Sequence, residues 1–190
     1  MNDDAIAAAS EIAATFELLE VPYMIGGSMA STLWGEPRFT RNVDLVAALR
    51  SKHVAPLISR LGEDWYAEPG DIREAISNRA SFNLIRLKRM VKVDIFVPTE
   101  TGLDESKWKR IRREVLDPES GQELCITSPE DIVLQKLDWF RRGGEVSDNS
   151  WRDVTSLLRI QGERLDDEYL ESWAARMELS ELLVRARNAE

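Results

Sequence analysis

Residues 23–49 read YMIGGSMASTLWGEPRFTRNVDLVAAL. Tyr23-Met24-Ile25 is a short apolar run of strand character. A second run, Val43 to Leu49, is interrupted by one acid, Asp44. Between them the turn Gly26-Gly27-Ser28 opens a short helical segment, Ser28 to Trp34, which Gly35 and Pro37 end. Arg38 to Arg41 forms a basic connection back to the second strand. Glycine permits positive φ and close backbone approach. The N–H groups at a helix start attract anions, and the Ser28 hydroxyl adds a donor. Two readings follow from the turn alone: a cradle for a phosphate chain, or a tight strand-to-helix turn without a ligand.

Outward from this stretch, Asp3 to Glu20 predicts a helix. Ile6, Ala9, Ala13 and Phe16 recur at three to four residues, Asp3 or Asp4 caps the start, and Val21-Pro22 ends it. The nearly continuous apolar run Val43 to Leu49 predicts a strand in the middle of a sheet covered on both faces. Lys52 to Leu61 reads as a helix, Trp65 to Glu68 as a short strand, and Ile72 to Ser77 as a weak helical turn. Phe82 to Leu87 and Val91 to Val97 read as a hairpin around Lys88-Arg89-Met90. Asp104 to Arg110 is a helical turn. A second hairpin, Arg112 to Leu116 with Glu123 to Ile126, flanks the turn sequence Asp117-Pro118-Glu119-Ser120-Gly121. Thr127-Ser128-Pro129-Glu130 then supplies a cap and a proline at the first helical position. Four helices follow, near 129–141, 148–160, 166–176 and 180–189. The expected class is α+β: a mixed sheet with flanking helices over residues 1–126, then a helical bundle over 127–190 packed on it to form a cleft.

Two acids stand out because each interrupts a strand that otherwise reads as buried. They are Asp44 and Asp94, the latter inside Val93-Asp94-Ile95-Phe96-Val97. A buried carboxylate is costly unless it is paired or bound to a cation. On neighbouring strands the two would converge on one divalent ion, and Mg²⁺ takes one or two carboxylates plus substrate phosphates and water. The competing account pairs each acid with an arginine such as Arg38, Arg41 or Arg86.

Composition narrows the alternatives. The chain has 190 residues, 43% of them hydrophobic, enough for a folded core. No run approaches the length of uncharged sequence that a membrane span needs. The acidic start, Met1-Asn2-Asp3-Asp4, lacks the basic region of a signal peptide, so a cytoplasmic location is expected. One cysteine, Cys125, and one histidine, His53, exclude an internal disulfide and a cysteine- or histidine-rich metal site. The net charge of −9 argues against broad nucleic-acid binding. Between Arg86 and Arg113, however, nine basic residues face four acids. That segment is either a solvated surface or a patch that receives an RNA or a nucleotide. Trp139, Trp151 and Trp173 read as core residues, and Trp34 as a residue near the turn.

The pattern Gly26-Gly27-Ser28-x-Ala30, then Gly35-Glu36-Pro37-Arg38-x-Thr40-Arg41-Asn42-Val43-Asp44-Leu45-Val46, resembles the signature of the polymerase-beta-like nucleotidyltransferase superfamily. The branch it resembles most is the bacterial abortive-infection toxin type (AbiEii-like). Asp94 matches the third acid of that pattern. Ser128-Pro129-Glu130-Asp131, Lys136 and Arg152-Asp153 resemble the branch's helical motifs. The resemblance implies a metal-dependent transfer of a nucleoside monophosphate from a nucleoside triphosphate to an RNA, protein or small-molecule acceptor. It further implies a place in a toxin–antitoxin pair with an antitoxin partner. Asp44 and Asp94 would bind Mg²⁺ or Mn²⁺, and Asp94 would take the acceptor's proton. Gly26, Gly27, Ser28, Arg38, Arg41 and Lys136 would hold the nucleotide. Two positions depart from the pattern. Asn42 stands where the family has the first acid of the pair, which implies weaker metal binding or a degenerate member that binds nucleotide or a partner protein without turnover. Ser156 stands where the branch repeats an acid.

Overall fold

A computed structural model describes residues 2–99 and 102–189. Helix α1, Asp3–Leu18, starts where the Asn2 side chain accepts the Asp4 N–H at 3.0 Å. Its inner face is Ala5, Ala8, Ala9, Ile12, Ala13 and Phe16, all fully buried. The alanines let the helix approach the sheet closely. The helix ends two residues early, at Leu18, because Glu20 takes a left-handed conformation (φ 54°) ahead of Pro22.

Seven strands form one mixed sheet: β1 (Tyr23–Ile25), β2 (Val43–Ala47), β3 (Trp65–Tyr66), β4 (Ser81–Arg86), β5 (Val91–Phe96), β6 (Arg112–Val115) and β7 (Glu123–Ile126), in the order β3-β4-β5-β2-β1-β7-β6. The central strand β2 runs antiparallel to β1 and parallel to β5. Both expected hairpins form, β4 on β5 and β6 on β7. Helices α3 (Val54–Leu61) and α4 (Pro69–Asn78) join α1 over one face. Helix α4 is a full helix rather than a weak turn. Glu68 accepts the Gly70 N–H at 3.3 Å, Pro69 sits at the first helical position, and Arg79 closes the end in a left-handed conformation.

Burial along β2 alternates, contrary to the expectation of cover on both faces. Val43, Leu45 and Ala47 are buried, whereas Asp44 and Val46 are half-buried. β5 repeats this: Val91, Val93 and Ile95 are buried, while Asp94 and Phe96 are half-buried. One face of the sheet's centre is core, and the other opens towards a cleft.

The helices after the sheet are α6 (Pro129–Arg142), α7 (Asp148–Gln161), α8 (Asp167–Arg176) and α9 (Ser180–Arg187), preceded by the short α5 (Leu103–Trp108). α6 and α7 pack on α2 (Gly27–Trp34). The Trp34 indole N–H donates to the Thr127 carbonyl at 2.8 Å, tying the end of α2 to the β7–α6 junction. At the start of α6 the Ser128 hydroxyl accepts the Asp131 N–H at 3.2 Å and donates to the Asp131 carboxylate at 2.7 Å. Tyr169 donates to the same carboxylate at 2.6 Å. Ser128 and Asp131 thus fasten α6 to α8. His53, expected at the surface, is buried, and its Nδ1 accepts the Arg50 N–H at 3.0 Å.

Gly35 packs against the serine at position 156. A Cβ on Gly35 would lie 2.8 Å from Ser156 Oγ and 3.0 Å from the Ser31 carbonyl. The end of α2 and the middle of α7 therefore meet with no room for a side chain at position 35. Gly35→Ala is expected to lower stability by about 1–3 kcal/mol through overpacking, read as a shift of the urea midpoint at unchanged slope.

Candidate active site

The turn after β1 brings a helix start and a carboxylate into contact. Gly27 has φ +54°, and a Cβ there would lie 1.9 Å from Asp44 Oδ2. Only glycine fits, for both reasons. The Ser28 backbone N–H donates to the Asp44 carboxylate, which occupies part of the α2 N-terminus. The Gly26 N–H donates to the Asp44 carbonyl at 2.9 Å, fixing strand and turn together. Gly26 itself would accept a Cβ with ordinary contacts, the nearest atom being Thr127 Oγ1 at 3.5 Å. Gly27, not Gly26, carries the steric requirement.

Asp44 and Asp94 are directly opposite in the parallel pairing of β2 and β5, so both side chains leave the same face of the sheet. Burial raises the Asp44 pKa from its ordinary value, and the neighbouring charge of Asp94 raises it further. The Ser28 N–H and the cations Lys136 and Lys92 offset part of this. Neither acid is neutralised by Arg38, Arg41 or Arg86. Asp94 pairs with Lys92, two residues away on its own strand, at 2.8 Å. Arg86 instead pairs with Glu11 at 2.9 Å.

Two acids with mutually unfavourable charges, one of them largely desolvated, suit a divalent cation. The described residues contain no cluster of three or more acidic, histidine or cysteine ligands. The donor set therefore fits a Mg²⁺ that completes its shell with water and substrate oxygens, not one enclosed by protein. Asn42, exposed at the cleft wall, can offer only a neutral carbonyl oxygen.

A second cluster stands behind Ser28. Asp153 of α7 is buried and accepts Arg38 through both oxygens, at 3.0 and 3.2 Å. It also accepts Lys136 of α6 at 2.8 Å. Arg38 donates in turn to the Ser28 hydroxyl at 2.5 Å. Lys136 is itself buried, so it is a wall cation held by Asp153 and not a surface lysine. Asp153 thus joins the loop before β2 to α6 and α7. Arg152 points elsewhere, to Glu36 at 3.3 Å. The burial stripe Asp153, Val154, Leu157, Leu158 on α7 is the signal that marks this acid as inward-facing and in need of a cation.

Ser28, Arg38, Phe39, Thr40, Arg41, Asn42 and Asp44 from one side, with Lys136, Trp139, Asn149 and Ser150 from the other, line an open cleft of about 460 Å³. Trp139 is 38% exposed and faces this cleft, a correction to its assignment to the core. Trp34 does not line it. The basic segment 86–113 is largely neutralised. Arg86, Lys88, Arg89, Lys92, Lys107, Lys109 and Arg110 all form ion pairs with carboxylates.

Among solved structures the chain is similar to an antigenic nucleotidyltransferase-like protein from Paracoccidioides brasiliensis: TM-score 0.56, 19% identity, 97% of this chain and 92% of that one. It is similar to ANT(2'')-Ia in complex with adenylyl-2''-tobramycin: TM-score 0.56, 14% identity, 93% and 98%. It is also similar to the lincosamide antibiotic adenylyltransferase LnuA in its lincomycin-bound form: TM-score 0.52, 15% identity, 84% and 98%. No protein-family model and no curated protein matches it. At these identities the likeness establishes the fold. The chain has the nucleotidyltransferase-like mixed sheet with flanking helices.

Two outcomes test this geometry. Asp153→Ala leaves Lys136 buried and unpaired, and a loss of about 3–5 kcal/mol is expected in denaturant unfolding. Asp44→Asn keeps an acceptor for the Ser28 N–H and removes a charge the fold disfavours. Because the folded pKa of Asp44 is raised, ionised Asp44 costs stability above that pKa, and the cost vanishes below the unfolded value of about 3.9. Asp44→Asn should raise Tm by about 2–4 °C at neutral pH. The difference should disappear in thermal scans as the pH falls through the folded pKa towards that unfolded value.

Proposed function

We propose that the protein is a metal-dependent nucleotidyltransferase that moves a nucleoside monophosphate from a nucleoside triphosphate onto a hydroxyl of a small molecule. The observation that carries this reading is the contact of Asp44 with the Gly27–Ser28 turn, with Asp94 beside it in register. In this reading residues 1–126 form the nucleotidyltransferase-like part, and the helices of 127–190 close the cleft. The Ser28 hydroxyl, whose oxygen already accepts from Arg38, directs its proton to a phosphate oxygen. Arg38 and Lys136, aimed by Asp153, offset the charge of the triphosphate, and Arg41 joins them from the cleft wall. Asp44 and Asp94 hold Mg²⁺, which when bound supplies Lewis-acid stabilisation of the charge that develops on the phosphates. The acceptor oxygen forms a bond to the α-phosphorus, the bond from that phosphorus to the β-bridging oxygen breaks, and pyrophosphate leaves. Asp94 takes the acceptor's proton on the oxygen that Lys92 does not hold.

The small-molecule acceptor is favoured over RNA because the basic residues of 86–113 are mostly engaged in ion pairs and the net charge is −9. The small antibiotics bound by two of the fold neighbours, lincomycin and adenylylated tobramycin, support the same choice. The motif resemblance of Ser128 to Asp131, Lys136 and Asp153 supports a place in the AbiEii-like branch, with a cytoplasmic setting and an antitoxin as partner. A second reading is a nucleotide-binding member without turnover. Asn42 and the Lys92–Asp94 ion pair favour it, since both reduce what the site offers a cation.

Incubation with each α-labelled nucleoside triphosphate, Mg²⁺ or Mn²⁺, and a fractionated cell extract separates these readings. Transfer of label to the low-mass fraction, lost in Asp44→Ala by at least about 100-fold, is the expected outcome. Transfer only after Asn42→Asp supports the second reading. Label confined to RNA or protein overturns the small-molecule acceptor. Failure of every form to bind a triphosphate overturns the nucleotide site.

A further inference from the structure

Two large aromatic side chains are exposed in a cleft that is otherwise polar. Phe39 is 63% exposed, in the loop between Arg38 and Arg41, and Trp139 is 38% exposed, on α6. Exposed rings of this size lose the burial that ordinarily stabilises them, of order 2 kcal/mol each. Neither loop nor helix forces the exposure, since Thr40 in the same loop and Phe140 on the same helix are buried.

Each ring is anchored beside a cation assigned to the phosphates. Phe39 follows Arg38, which is fixed to Ser28 and Asp153. The Arg41 guanidinium lies 5.5 Å from the centre of the Phe39 ring and braces it. Trp139 lies one helical turn beyond Lys136, whose Nζ is 5.9 Å from the indole centre and is held by Asp153. Both rings therefore line the same cleft, each beside a cation tied to Asp153. Asn149, at the start of α7, lines the same space. Its side-chain amide makes no hydrogen bond among the described residues, so one donor group and one acceptor are available together.

Resting on the nucleotide reading above, we propose that Phe39 and Trp139 stack the base of the nucleotide, whose edge Asn149 reads. A planar, polarisable base with a donor–acceptor edge satisfies all three side chains at once. Stacking on an aromatic wall contributes about 1–3 kcal/mol per base, which corresponds to roughly 5- to 150-fold in affinity.

The test is the ratio of affinities for α,β-methylene-ATP and inorganic tripolyphosphate, each with Mg²⁺, measured by calorimetry on the full chain. The wild type is expected to bind the nucleotide at least about tenfold more tightly than the tripolyphosphate. Phe39→Ala and Trp139→Leu should each collapse that ratio while leaving tripolyphosphate affinity within about twofold, which also shows that the variants are folded. Phe39 is exposed enough for its variant to decide the question even where Trp139→Leu does not fold. A ratio unchanged in Phe39→Ala, or an equal loss for both ligands, overturns the base site and leaves the phosphate site standing. Absence of binding of both ligands to the wild type overturns the nucleotide reading itself, and the base site with it.

Discussion

The approach of the Asp44 carboxylate to Gly27 is the constraint on which the rest of the site depends. A single Cβ at position 27 would overlap Asp44 Oδ2, and the positive φ at that residue already requires glycine. Because the contact is tight, the start of α2 is set against β2 with little freedom. Ser28 follows, presenting one N–H to Asp44 and its hydroxyl to Arg38. The helix start is thus partly taken by the protein's own acid. An anion site built this way is weaker than a bare helix terminus, and it needs cations to complete it.

One of those cations, Lys136, and the acid that holds both come from the other half of the chain. Asp153 holds Arg38 from the loop before β2 and Lys136 from α6, and all three meet at the back of the cleft. A buried acid with two cationic partners is costly to assemble and costly to break. Its geometry aims two charges at the region in front of Ser28, whereas a hydrophobic contact of equal stability would aim none. Gly35 against Ser156 serves the same junction sterically, bringing α2 and α7 close enough for the ion pairs to form. Packing of the helices and charge in the cleft are therefore one arrangement seen from two sides.

The sheet contributes register. A slip of one residue between β2 and β5 would send Asp44 and Asp94 to opposite faces, since side chains alternate along a strand. The buried set Val43, Leu45, Val93 and Ile95 on the other face prevents it. The carboxylate pair is held in place by the hydrophobic effect acting on its neighbours. Lys92 tempers the charge of that pair from two residues away on β5.

Much of this was legible in the amino-acid sequence by itself. Local rules act within a few residues, so the Gly-Gly-Ser turn, the strand runs, the two hairpins and the capped start of α6 could be read directly. An acid inside an apolar strand signals a charge with a purpose wherever it occurs, which singled out Asp44 and Asp94. The alternation of burial along β2 was not legible, because Val, Leu and Ala are apolar whether they face a core or the half-open side of a sheet. Nor was the role of Asp153, whose partners lie 115 and 17 residues away in sequence. Trp139 read as core from its apolar neighbours, since a ring's exposure depends on what the tertiary structure leaves uncovered. The sequence determined the elements and the identity of the acids, because both are local properties. Only the tertiary structure decided which cations, rings and amides share a cleft with them, because long-range packing sets that company.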